Sequence, residues 1–293
     1  MSPILVTGAT GRLGQLIVER LLAQQRPVRV LTRRPDTARK LFGAAVEVAS
    51  GAFADRRSLE TALRGIATVL LLSPIGERLV SDQTAVVDAA LAAGVRRIVK
   101  ISGSDWTIEP PGRSISGDAH AAVERHLGRL PLEHVSLRPN AWMQVSLANT
   151  LRQVLAGGPV TAVNLDAGVG YIDARDIADV AVHLLLADRI AGGPLNLTGP
   201  AAKTPRQIAD LLATALGRQV EAVEHQPPPL LPGAGFEQRA VAQFATLIAA
   251  GHAAVATDVV RSLLARPPRS VEAFLSDQLS AEAVLAPTAD IAP

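Results

Sequence analysis

Three glycines spaced three apart, Gly8, Gly11 and Gly14, stand between an apolar run and a helical stripe. No other feature of the chain restricts its fold as much. Ile4–Thr7 reads as a short buried strand, and Leu13, Leu16, Ile17 and Leu21 fall on one face of a helix. Within Thr7-Gly8-Ala9-Thr10-Gly11-Arg12-Leu13-Gly14, Gly8 permits a tight turn and Gly11 lets backbone amides approach a pyrophosphate. Gly14 allows close packing of helix on strand. The helix N-terminus adds unpaired N–H donors and a partial positive charge. Such a strand–loop–helix is a dinucleotide cradle, with Thr7, Gly8, Thr10, Gly11, Arg12, Leu13 and Gly14 as candidate contacts.

The alternation then repeats. Val28–Thr32, Val46–Ala49, Val69–Leu72 and Ile98–Ile101 are brief apolar runs suited to parallel strands buried on both faces. Helix-period segments separate them, such as Val86, Val87, Ala90 and Leu91, stopped by Gly94. The pattern predicts an α/β fold, a doubly wound parallel sheet with right-handed crossovers.

The end of the second strand selects the cofactor. Leu31-Thr32-Arg33-Arg34-Pro35 has no carboxylate to grip a ribose 2′-hydroxyl, while Arg33 and Arg34 attract a 2′-phosphate. Arg12 adds a third positive group from the glycine loop. The expected cofactor is therefore NADP(H). Elsewhere the charges make no strong field: net charge is +2, and lysine occurs only at positions 40, 100 and 203. With aromatics at 3% and no basic block, nucleic-acid binding is not expected. No apolar stretch approaches the ~18 residues of a membrane span, and no signal-peptide pattern opens the sequence, so a cytoplasmic protein is expected. The absence of cysteine removes disulfide scaffolds, thiolate metal sites and cysteine nucleophiles. The six histidines form no zinc pattern, no Gly-x-Ser-x-Gly elbow occurs, and no Walker lysine follows the glycine loop. No metal is expected.

After Ser102 the pattern loosens. Gly103–Gly117 reads as a loop at a strand's carboxyl end, followed by a helix over about 118–128 and a strand over 133–138. Asp173 is a candidate N-cap for a helix whose inward stripe is Ile177, Val180, Ala181, Leu184 and Leu185. Thr204-Pro205-Arg206-Gln207 has the form of a capping box. The segment 226–235 holds four prolines and reads as a loop, with helices over 236–250 and 271–279 beyond it. The expected organisation is a nucleotide-binding core of residues 1–138 and 170–198, a smaller α+β substrate lobe of 139–169 and 199–279, and a flexible tail over 280–293.

The motifs taken in order resemble one family. Val6–Gly14, Asp88–Val99, Leu137-Arg-Pro-Asn-Ala-Trp-Met-Gln144, Asp173–Ala178, Leu197-Thr-Gly-Pro200 and Arg266–Phe274 are similar to NmrA-like atypical short-chain dehydrogenase/reductases. That resemblance implies a Rossmann core, a C-terminal lobe and a substrate cleft between them. It covers quinone oxidoreductases of the second type, triphenylmethane-dye reductases, biosynthetic reductases and non-catalytic redox sensors. One departure stands out. Where short-chain reductases carry Tyr-x-x-x-Lys, this chain has Ser116 and His120, and its sole tyrosine, Tyr171, lies on another expected strand. His120 resembles the quinone- and dye-reductase subgroup. A quinone takes hydride readily and leaves as a stabilised oxyanion, so it needs a weaker acid than a ketone does. His120 either donates that proton, bonds the nicotinamide ribose, faces solvent or packs beneath the cofactor. Ser102 and Ser104 end the fifth strand, where ligand contacts concentrate; Ser104 is a second candidate for catalysis and Ser102 for cofactor binding. Leu72 and Ser73 close the fourth strand near the cofactor, and Asn140 matches a family position beside the nicotinamide. Ala52 replaces a family Asp near adenine, leaving that role to backbone or Asp55. Trp106 and Trp142 are candidates for the wall of an aromatic pocket, with core as the alternative for Trp142, which starts an apolar stretch. The expected activity is NADPH-dependent reduction of a quinone-like or other conjugated small molecule. A non-catalytic NADP sensor and a ketone, imine or enone reductase are the alternatives, and monomer and homodimer both stay open.

Overall fold

Nine strands and twelve helices are laid out in a computed structural model that describes residues 2–285, with side chains through Ala281. Seven strands form one sheet: β1 (Ile4–Thr7), β2 (Val28–Thr32), β3 (Glu47–Ser50), β4 (Thr68–Leu71), β5 (Arg97–Ile101), β6 (Glu133–Pro139) and β8 (Gly193–Leu197). The order is β3-β2-β1-β4-β5-β6-β8, and every pairing is parallel. β1 pairs with β2 on one side and β4 on the other, so successive connections run in opposite directions from it. That reversal opens a crevice at the carboxyl ends of β1 and β4, where doubly wound sheets bind ligands. The architecture is Rossmann-like.

The apolar runs have a simple cause, since both faces of the sheet are covered. Val6, Val30, Leu70, Val99 and Val135 face α1 (Arg12–Ala23) and α8 (Ala174–Leu186). Leu5, Leu31, Val69, Leu71 and Ile98 face α3 (Arg56–Leu63), α4 (Leu79–Ala92) and α6 (Ile115–Leu127). α2 (Pro35–Phe42) and α5 (Asp105–Ile108) lie in connections. Asp173 caps α8 by accepting from the Arg175 amide at 2.7 Å.

A second core lies beside the sheet's carboxyl edge. α7 (Met143–Leu155), β7 (Val160–Ala162), α9 (Pro205–Leu216), β9 (Ala222–Glu224), α10 (Phe236–Ala249) and α12 (Val271–Leu285) surround Met143, Leu147, Ile208, Leu212 and Phe274. β7 and β9 pair in parallel. The Thr204 capping box opens α9. α11 (Val259–Leu264) leads into a segment that returns to α8, where Arg266 and Arg269 clasp the buried Asp176 and the neighbouring Asp179. No described helix is long and apolar enough to cross a membrane.

Three local expectations change. α6 starts at Ile115, capped by Ser114, so Ser116 and Gly117 lie inside it. Gly117 resembles a breaker in sequence, but a Cβ there would stand 1.7 Å from the Thr107 carbonyl oxygen, and its absence lets the first turn press against α5. Tyr171 sits between two isolated bridges, Val169↔Lys203 and Trp142↔Ile172, outside any strand. α12 continues to Leu285, past the point where apolar periodicity stops, because alanines at 281 and 283 favour helix without needing a buried face. The rest of the expected tail, 286–293, lies outside the described residues.

Candidate functional site

The glycine loop has the geometry its residues require. Gly8 adopts φ +65°, and a Cβ on it would meet the Leu72 carbonyl oxygen at 2.8 Å. A Cβ on Gly14 would lie 2.2 Å from the Gly8 carbonyl oxygen, so the helix closes onto the loop itself. Gly11 caps α1 without a side chain, and no acidic residue sits in the first turn. The first amides of α1 therefore remain open to an anion, with the helix dipole behind them. Leu13 and Gly14 are buried beneath this turn. Thr7, expected as a contact, is fully buried; its hydroxyl accepts from the Leu72 amide and donates toward the Leu70 and Leu72 carbonyls. It locks β1 to β4 and so places Leu72 at the crevice.

The arginines divide their work. Arg34 donates to the Thr10 hydroxyl at 3.1 Å, bringing the end of β2 to the glycine loop, and Arg33 is exposed beside it. No carboxylate ends β2. Arg12 points elsewhere, to the Gln144 carbonyl of α7, and joins the loop to the second core. Asp55 is engaged in capping α3 through the amides of Arg57 and Ser58. The residues present fit a dinucleotide carrying a 2′-phosphate: an open helix N-terminus, Gly8 and Gly14 where a Cβ would collide with backbone, and two exposed guanidinium groups at the ribose end.

The carboxyl end of β5 holds a buried polar chain. Lys100 shares the parity of Ile98 along the strand and so points toward α6, where it is wholly buried. Its ammonium lies 2.9 Å from His120 Nδ1 and 2.9 Å from Ser102 Oγ, with the Ile101 carbonyl at 3.5 Å. Ser102 donates to Glu124 at 2.6 Å. Glu124 also receives both Nε and Nη2 of Arg138, whose Nη1 reaches Asp105 at 2.7 Å. His120 is 4% exposed, and its Nε2 has no protein partner among the described residues.

Burial sets the ionisation of this chain. It pulls Lys100 down to about 7, opposed by the charge of Glu124 and assisted by that of Arg138. It also holds His120 well below the ordinary imidazole range, with Lys100 and Arg138 adding to the effect. His120 is a neutral imidazole at physiological pH. Tyr171, pushed up to about 12 by burial, is a reluctant acid and belongs to the second core.

The remaining candidates carry internal bonds. Ser104 donates to the Pro139 carbonyl at 2.7 Å, which leaves its oxygen free to accept. Ser73 accepts from Gln83 at 2.8 Å, and the buried Oε1 of Gln83 has no partner. Asn140 accepts from Trp106 Nε1 at 2.7 Å and from the Ala141 amide at 2.8 Å and donates to the Ala253 carbonyl at 3.0 Å, so its oxygen is saturated and one N–H of its amide remains for a further contact. Trp106 packs edge-on against Phe244 and is 7% exposed, which makes it core. Trp142 packs partly buried against the sheet core. Among the described residues no group of three His, Asp or Glu gathers as a metal site. A cavity of about 320 Å³ opens in the second core, bordered by Ala141, Leu147, Tyr171, Ile208 and His225.

Lys100, Glu124 and Arg138 carry the site's charge, yet sequence reasoning did not single them out. The available signal was a lysine inside the apolar run Ile98–Ile101, where a parallel sheet leaves no solvent for it.

Comparison with known proteins places this geometry in a lineage. A reductase of (4-alkanoyl-5-oxo-2,5-dihydrofuran-3-yl)methyl phosphate from Streptomyces griseus is 36% identical over 218 residues, 73% of this chain and 74% of that protein. An NAD(P)H azoreductase of Xenophilus azovorans is 28% identical, covering 92% of this chain and 96% of that one. The NADPH-dependent quinone oxidoreductase of Escherichia coli, solved with NADPH, superposes with a TM-score of 0.81 at 22% identity over 94% of this chain and 99% of the other. The NmrA-like family profile matches residues 1–247, and the chain belongs to that family.

Proposed function

We propose that this protein is an NADPH-dependent reductase that passes hydride to a conjugated small molecule of quinone type. The observation that carries this reading is the neutral His120 fixed at the carboxyl end of β5, where a stronger phenolic acid relay is absent. An acceptor whose reduced form is already a delocalised anion suits such a site; an unactivated ketone does not. The named relatives support the reading, since their names describe reductases of an azo compound and of an oxo-dihydrofuran bearing a further acyl group.

NADPH supplies the hydride when bound. The α1 amides hold its pyrophosphate, and Arg33 and Arg34 hold the 2′-phosphate. Leu72 and Ser73 border the crevice. Thr7 keeps Leu72 in place from beneath. Ser104 accepts a hydrogen bond from a hydroxyl or amide of the bound molecules. His120 Nε2–H faces the reacting region and gives a proton to the reduced acceptor.

The test is NADPH oxidation followed by absorbance against a panel of quinones, azo dyes and unsaturated lactones, with cofactor affinity measured by calorimetry. Turnover of at least one conjugated acceptor is expected, with NADPH bound at least tenfold more tightly than NADH. Arg33→Ala should abolish most of that preference, in line with about 1.5–3 kcal/mol for a charged hydrogen bond. Tight NADP binding without turnover of any acceptor would assign a regulatory nucleotide sensor in place of an enzyme.

A further inference from the structure

Lys100 is an expensive residue to bury, and nothing in cofactor binding explains it. It touches neither the glycine loop nor the arginine pair. Its three N–H groups are instead spent on His120 Nδ1, Ser102 Oγ and the Ile101 carbonyl. An ammonium can only donate, so His120 Nδ1 must accept, and the imidazole proton is forced onto Nε2. That is the nitrogen left without a protein partner among the described residues.

We propose that Lys100 is the positioning residue and proton reserve of this site: it holds His120 as the Nε2–H tautomer and replaces the proton that His120 gives to the reduced acceptor. The inference rests on the reductase reading above. Charge and atoms balance without an imidazolium. The step starts from a reduced acceptor that bears one negative charge. His120 Nε2–H breaks and an acceptor O–H (or N–H) forms, while one Lys100 N–H breaks and His120 Nδ1–H forms. The products are neutral acceptor, neutral imidazole in the other tautomer and neutral amine, whose lone pair then accepts from Nδ1–H. After product leaves, solvent protonates His120 Nε2 while Nδ1–H breaks and its proton returns to the Lys100 amine, restoring the ammonium and the Nε2–H tautomer.

The surroundings favour this exchange. Lys100 is faced by His120 and Glu124 from α6 and by Arg138 from β6; Arg138 is in turn held by Asp105, with Glu109 at 3.6 Å. Glu124 reaches Lys100 through Ser102, and its negative charge supports the ammonium before transfer. Arg138 offsets part of that charge and eases loss of the proton. A lysine drawn down to about 7 sits close to the working pH, the condition for efficient proton supply. The low pKa of His120 fits a group that relays without accumulating charge.

Two readouts test the proposal. Nitrogen NMR of the imidazole in the wild-type protein without cofactor should find His120 as the Nε2–H tautomer, with a Lys100 ammonium titrating between pH 6 and 8. Lys100→Met should release the tautomer preference. In single-turnover reduction of menadione by NADPH, wild type should lose rate as pH rises through about 7. Lys100→Met should be pH-independent there and slower by ~10²-fold, the lower range for a general acid. Adding His120→Ala to Lys100→Met should cost little more, because the two act as one unit. An Nδ1–H tautomer in wild type, or a Lys100→Met profile that keeps the wild-type pH limb, overturns the proposal. Failure of wild type to reduce any acceptor instead overturns the reductase reading, and the tautomer spectrum still decides the role of Lys100. Should Lys100→Met not fold, the wild-type tautomer and lysine titration decide alone.

Discussion

Two buried bases, Lys100 and His120, make the folded protein bind fewer protons than its unfolded chain. Both have folded-state pKa values below their unfolded ones. Between the two values the unfolded state holds the extra proton, so stability rises with pH. For Lys100 the window runs from about 7 in the folded protein up to the ordinary ~10.4. For His120 stability falls as pH drops below the ordinary ~6.5. Asp173 and Asp179, held low by their arginine hydrogen bonds against the burial that raises them, act in the same direction but only in acid. Urea unfolding from pH 6 to 10 should therefore show wild type gaining stability relative to Lys100→Met across the alkaline half. A difference that stays flat with pH would mean that Lys100 keeps an ordinary pKa. These residues also mark where sequence reading stops. The glycine turn could be read because it and the helix it opens are adjacent in the chain, whereas Arg12, read as a phosphate contact, donates to the distant Gln144 carbonyl. Lys100 could not be read, because its burial is decided by α6 and β6, far along the chain.

Strand boundaries were legible to within one residue from β1 to β5. β1 and β2 begin and end where their apolar runs do, since most residues of a covered strand are apolar. α9 was equally clear, because a capping box and an N1 proline act within one turn. α6 was misplaced because Gly117 serves a contact between elements, and sequence gives that glycine the look of a turn. Gly14 serves a similar purpose and yields a sharp prediction. In Gly14→Ala the new Cβ would lie 2.2 Å from the Gly8 oxygen and 2.7 Å from Ala9 Cα, both backbone atoms that cannot step aside. The loop must open, costing about 1–3 kcal/mol or more in overpacking and removing the amide cradle. Thermal denaturation should fall by several degrees, and NADPH should no longer raise the midpoint. A variant that keeps ligand-induced stabilisation would remove the loop from the nucleotide site.

At the scale of the molecule, the two cores are held together by a polar clasp. Asp176 is fully buried and accepts from Arg266 at 2.8 Å, from the Arg269 amide at 2.6 Å and from the Arg269 guanidinium. Asp179 joins these arginines to Arg20 of α1 at 2.5 Å. Because the arginines are about one-third exposed while Asp176 is sealed, Asp176→Asn should cost near the low end of the ~3–5 kcal/mol seen when one partner of a buried pair is removed. Chemical denaturation checks this, and a loss below ~0.5 kcal/mol, as for a surface pair, would show that the clasp is dispensable.

The clasp also orders events during synthesis. The sheet is complete once Leu197 has been made, and among the described residues its core contains one buried residue beyond it, Val260. The second core, in contrast, needs Phe274 and Leu275, which follow the clasp. A nascent chain thus has the residues of its glycine loop and sheet before those of its second core. A nucleotide bound at that stage would stabilise the sheet by mass action before the second core has formed beside it.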